Sequence, residues 1–154
     1  MRTLRTRWLI LAMATASLTA AMPAQAQVTC HQINAKGEGA FTGPTTTESQ
    51  IIGGGILHGT TTAELFITGT DPTTGALTYE GTLVLTSEHG TLTLDILDGL
   101  YDPVTGEFSN DSAIASGTDE FAGATGELYF HGFVFSGGSF IDDAIVGEVY
   151  VDLP

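Results

Sequence analysis

From Val28 onward the chain alternates apolar and polar residues with a period of two, and turn signals break the alternation about every dozen residues. No stretch beyond the first 27 residues repeats apolar residues at i, i+3, i+4 and i+7, so strands are predicted rather than helices. The first strand is placed from Val28 to Ala40, followed by a polar loop at Thr45 to Ser49. A strand from Ile56 to Gly69 puts Leu57, Thr61, Ala63, Leu65 and Ile67 on one face, with His58, Thr60, Thr62, Glu64 and Phe66 on the other. The next, Ala76 to Ser87, groups Leu77, Tyr79, Leu83 and Leu85; the one after, Thr91 to Tyr101, groups Leu92, Leu94, Ile96 and Leu100. Glu107 to Ser116 is a fifth and less apolar run, Gly117 to Gly126 is a glycine-rich crossover, and two strong runs, from Glu127 and from Ser139, close the chain. In the last, Ile141, Ile145, Val149, Val151 and Leu153 share a face, opposite Asp142, Glu148, Tyr150 and Asp152.

Seven or eight antiparallel strands joined mostly by short turns predict an all-β fold. Closing such a sheet removes the exposed edges that promote aggregation, so a small closed up-and-down β-barrel of about eight strands is expected, with a β-sandwich as runner-up. Two of the turns are nearly identical: Asp71-Pro72-Thr73-Thr74-Gly75 and Asp102-Pro103-Val104-Thr105-Gly106. Proline presets φ and glycine accepts the positive φ that completes such a turn, so the pair are predicted to be equivalent hairpin ends. They lack the further oxygen ligands of an EF-type calcium loop.

The residues before this series read differently. Arg2, Arg5 and Arg7 form a basic start, Trp8 to Leu18 is apolar, and Ala24-Gln25-Ala26 matches a cleavage site. The apolar run falls short of the roughly 20 residues that span a bilayer. Residues 1–26 are therefore predicted to be a helical signal peptide and residues 27–154 a single barrel domain, secreted or periplasmic, with no membrane span in the mature protein. The arginines are not adjacent, which argues against a twin-arginine route.

Removing the leader changes the charge. Lys36 is left alone against eighteen Asp and Glu, a formal net of −17 for the mature chain. Nucleic acid is not an expected partner, because phosphates need Lys and Arg to displace their counterions. Net negative charge by itself keeps an exported β protein soluble. Cys30 is the only cysteine, so no intramolecular disulfide forms, and Gln27-Val28-Thr29 is a poor lipobox. Burial in the first strand is expected for it, and homo-oligomerisation is left open.

Gly37 to Thr46, GEGAFTGPTT, echoes Gly117 to Gly126, GTDEFAGATG, in its Gly, Phe, Gly and Thr positions, which either a shared backbone shape at two barrel rims or chance in Gly- and Thr-rich sequence explains. The second copy also carries a resemblance. Gly117, Thr118, Phe121, Gly123, Ala124, Thr125 and Gly126, followed by a last strand with Gly147 and Val149, resemble the allene oxide cyclase and dirigent-type barrel superfamily over the final 40 residues or so. The resemblance implies a closed antiparallel barrel with an apolar central cavity that confines a reactive hydrophobic molecule. Similar bacterial exported domains mostly have no assigned activity. No catalytic residue of the family maps onto this chain, and fold likeness alone does not define chemistry.

Candidate chemistry is sparse. His31, His58, His89 and His131 lie on separate strands or turns without the close spacing of zinc ligands, so no metal and no cofactor is expected. On the strand from Glu127, one face carries Glu127, Tyr129, His131, Phe133 and Phe135, and the other Leu128, Phe130 and Val134. If the first face points inward, Tyr129 and His131 line an aromatic ligand site, and His58 poses the same choice on its strand. If it points outward, Leu128, Phe130 and Val134 fill the core, which is the preferred placement. Three functions follow: noncatalytic binding of a small hydrophobic ligand or partner, a cyclase- or isomerase-like enzyme using the same cavity, or an interaction module with a filled core.

Overall fold

The structure, a computed structural model, describes residues 28–135, 137 and 139–153, so the leader at residues 1–26 lies outside the described residues. Eight strands carry the alternation: β1 (Thr29–Phe41), β2 (Thr46–Gly53), β3 (Gly59–Thr70), β4 (Leu77–Ser87), β5 (Gly90–Tyr101), β6 (Glu107–Gly117), β7 (Thr125–Phe135) and β8 (Phe140–Val151). Each pairs antiparallel with its sequence neighbour, and β8 returns to pair with β1, from Thr29 opposite Val151 to Gly39 opposite Ile141. The result is the closed eight-stranded up-and-down barrel that the periodicity predicts, with every strand edge paired.

The segment expected as a polar loop, Thr45 to Ser49, belongs largely to β2. Thr47, Ser49 and Ile51 point inward there, so two of three inward positions are hydroxyls and the hydrophobic alternation is hidden. A second correction concerns Leu100, expected inside and found 49% exposed. β5 carries an extra residue relative to both neighbours between Ile96 and Gly99, a bulge that reverses its parity. Beyond it Gly99 is buried and Tyr101 faces in.

The two D-P-x-T-G turns superimpose in their bonding. Asp71 Oδ1 accepts the backbone N–H of Thr73 and Thr74 at 2.7 and 3.0 Å, and Asp102 Oδ1 those of Val104 and Thr105 at 2.8 and 3.4 Å. Gly75 and Gly106 close them at φ 76° and 80°. With the β1–β2 and β7–β8 connections they form one rim. The other end is stoppered by two short 3₁₀ turns, Gly55–Leu57 and Asp119–Phe121, which drive Leu57 and Phe121 into the barrel with no residual exposure. The predicted echo is not a backbone repeat: Gly37 to Phe41 continues β1 to the hairpin rim, whereas Gly117 ends β6 at the opposite end and leads into a turn. Thr118 holds that turn to β5, its N–H donating to Thr91 O at 2.9 Å.

Candidate functional site

An eight-stranded barrel is just wide enough either to be filled by side chains or to hold one small ligand. Here both outcomes occur, at different heights. Toward the stoppered end Leu57, Leu85, Leu92, Leu94, Phe121 and Val149 pack the interior to zero exposure. Toward the hairpin rim the inward residues stop meeting. A cavity of about 280 Å³ opens between them, near the lower limit of ordinary ligand cavities (roughly 300–1,000 Å³). Phe41, Ile67, Leu77, Tyr101 and Phe108 surround its mouth; Ala63, Leu83, Ile96, Phe130 and Ile145 make the apolar wall below.

The polar groups that enter this space are the hydroxyls of Thr45, Thr47, Ser49 and Thr61, a bonded relay at Tyr79 and Asn110, and one carboxyl. The Tyr79 hydroxyl donates to Ser109 O at 3.2 Å and accepts from Asn110 Nδ2 at 3.1 Å, while Ser112 Oγ donates to Asn110 Oδ1 at 2.8 Å. The β5 bulge makes this relay possible. It turns Gly99 inward, and a methyl group there would sit 2.4 Å from the Tyr79 ring, so only glycine lets the ring lie across β5 to reach β6. Burial pushes the Tyr79 phenol up to about 12, keeping it a neutral donor.

Asp143 supplies the carboxyl in the wall. It lies between Ile141 and Ile145 on the inward face of β8 and retains only 9% of its accessible surface. Its Oδ1 is buried and has no hydrogen-bond partner. Both cross-strand neighbours are glycines, Gly37 on β1 and Gly132 on β7. A Cβ at Gly37 would fall 1.9 Å from Asp143 Oδ1 and one at Gly132 2.7 Å from Asp143 Cβ, so the carboxyl occupies the room of three side chains. Burial, with Asp142 next to it, raises its pKa to about 6 against the opposing pull of His131.

The three residues singled out from the sequence lie elsewhere. Tyr129 and His131 face outward on β7, in the preferred placement of that strand, with ring centroids 5.9 Å apart. Phe133, Phe135 and Phe140 continue the same external aromatic row. His58 follows the Gly55–Leu57 turn on the outer face before β3, on the opposite side of the barrel. None of the three lines the cavity. Leu128, Phe130 and Val134 supply the inward face instead. Cys30, expected to be buried, is exposed opposite Tyr150. Of the other histidines, His31, near the start of β1, has a buried Nε2 with no hydrogen-bond partner, and His89 Nδ1 lies 2.6 Å from Glu120 Oε2. Among the described residues no group of three His, Cys, Asp or Glu side chains is placed to hold a metal ion.

Asp143 and Asn110 are polar cavity residues that the sequence pattern does not single out. The signal for Asp143 was present: it shares parity with Ile141 and Ile145, which were placed on the core face. In comparisons with known proteins, no family model, no curated protein and no solved structure matches the chain.

Proposed function

We propose that this is an exported barrel protein that binds a small hydrophobic molecule without transforming it. One observation carries the reading: the interior is packed solid at one end and left open, apolar and accessible at the other. A barrel serving only as an interaction module has no reason to leave that space unfilled, since unfilled apolar space costs about 24 cal/mol per Å³ in comparable cores. Membership of the allene oxide cyclase and dirigent-type superfamily is part of the same proposal. It rests on the Gly117 to Gly126 segment and on a barrel with a central cavity. Export rests on the three-part leader.

A second reading, a cyclase- or isomerase-like enzyme acting on a hydrophobic substrate, is favoured by the unpartnered carboxyl of Asp143, a group able to give or take a proton near neutrality. Native mass spectrometry of the protein purified from an exporting host tests binding, export and turnover together. The expected species begins at Gln27 and carries a noncovalent hydrophobic adduct, which is lost in Ala63→Phe and Thr47→Phe variants that keep the wild-type circular dichroism. A bare wild-type protein whose melting temperature no lipophilic compound shifts counts against the binding reading. Conversion of the adduct on prolonged incubation favours the enzyme.

A further inference from the structure

Among the described residues the cavity wall holds no Lys, Arg or His. Tyr79 and Asn110 are committed to a relay with Ser112, and the remaining polar groups of the wall, on Thr45, Thr47, Ser49 and Thr61, are neutral hydroxyls. Asp143 differs from them in being a carboxyl: it lines the same space, is nine-tenths buried, and its Oδ1, beside Gly37, is unpartnered. No neighbouring element supplies a countercharge inside. On β1 the inward neighbour is Gly37, and Lys36 lies on the outer face, paired with Glu38 at 2.8 Å and Asp142 at 3.3 Å. On β7 the inward neighbour is Gly132, with His131 outside. Across the lumen the nearest titratable group is the neutral Tyr79 phenol. A lone carboxyl in a largely apolar chamber, with a glycine on either side, is a half-site that lacks its cation and a donor for Oδ1.

We propose that the cavity selects hydrophobic amines, the ligand's ammonium group seated against Asp143 and its hydrocarbon body against the apolar wall. This rests on the reading of the cavity as a ligand site and names its ligand class. An ammonium brings both the missing charge and up to three N–H donors. An alcohol brings one donor and no charge. A ligand carboxylate meets Asp143 with like charge and finds no cation in the wall. The acidic exterior works in the same direction, since a mature chain with one lysine and eighteen acids concentrates cations around its mouth.

A matched series separates the possibilities: 2-naphthylmethylamine, 2-naphthylmethanol, methyl 2-naphthyl ketone and 2-naphthoate, titrated calorimetrically into the full chain at about pH 7.5. The amine is expected to bind at least about tenfold more tightly than the alcohol. Lowering the pH to about 5, which protonates Asp143, is expected to erase that margin while leaving the alcohol unchanged. Asp143→Asn is expected to bind the alcohol as before and show no preference for the amine. If that variant does not fold, the wild-type pH titration decides. Alcohol or ketone binding equal to or tighter than the amine overturns the amine proposal and leaves the cavity a ligand site. So does an amine margin that survives Asp143→Asn or low pH. Failure of all four probes to bind overturns both.

Discussion

Burial holds the Asp143 carboxyl at a pKa of about 6, above the 3.8 of a free aspartate, and this sets the sign of its effect on stability. Between these values the folded chain keeps a proton that the unfolded chain releases, so stability falls as pH rises from about 4 to about 6 and is flat above. The displacement corresponds to a loss on the order of 3 kcal/mol. Asp143→Asn has no charge to bury, and the variant is expected to be more stable than wild type at neutral pH, by up to that amount. The two should converge near pH 4. Urea midpoints across this range check it, and a variant destabilised at every pH would show that the carboxylate is satisfied by a partner the wall does not display. A fold that keeps a buried carboxyl against its own stability points to a role for that group other than holding the barrel together.

The twin hairpin turns offer an internal control at the next scale. Asp71 and Asp102 have pKa values held below the ordinary aspartate range by backbone N–H donors, Thr73 first for one and Val104 first for the other. Their stabilisation is present above that range and lost as pH falls through the lowered values, opposite in sign to Asp143. The turns differ in what surrounds their last residue. A Cβ on Gly75 meets nothing within 4 Å, whereas one on Gly106 would lie 2.4 Å from Val134 O. Gly75→Ala should therefore cost only the left-handed backbone, about 1–2 kcal/mol. Gly106→Ala adds a clash with β7, whose Val134 N–H donates to Gly106 O at 2.7 Å, and should cost clearly more. Equal losses in urea denaturation would mean that the turn at Gly106 moves freely away from β7.

Closure of β1 on β8 governs the molecule as a whole. A chain ending before Phe140 lacks β8 and leaves β1 and β7 with unpaired edges, one of them flanked by the external row of Tyr129, Phe133 and Phe135. Such a truncation is expected to elute as aggregate in size-exclusion chromatography, where the intact chain gives a discrete species. A discrete, folded truncation would show that the barrel tolerates an open seam. The cavity also belongs to this scale, because its lining is drawn from all around the barrel rather than from any single run of residues.

The sequence by itself determined the all-β class, the strand periods, the two twin turns and the barrel, because a period of two and the Pro and Gly positions are local properties of the chain. It left the facing of β7 open between two sets and favoured Leu128, Phe130 and Val134 for the core; the fold placed Tyr129 and His131 outside. It did not reveal β2, whose inward Thr47 and Ser49 need no apolar side chain beside a cavity. It misplaced Leu100, because a bulge is a mismatch between neighbouring strands and leaves no mark on one strand read alone. Only the tertiary structure decided that Asp143 sits between two glycines: the β7–β8 pairing sets Gly132 beside it, and closure of β1 on β8 brings in Gly37 from the far end of the chain.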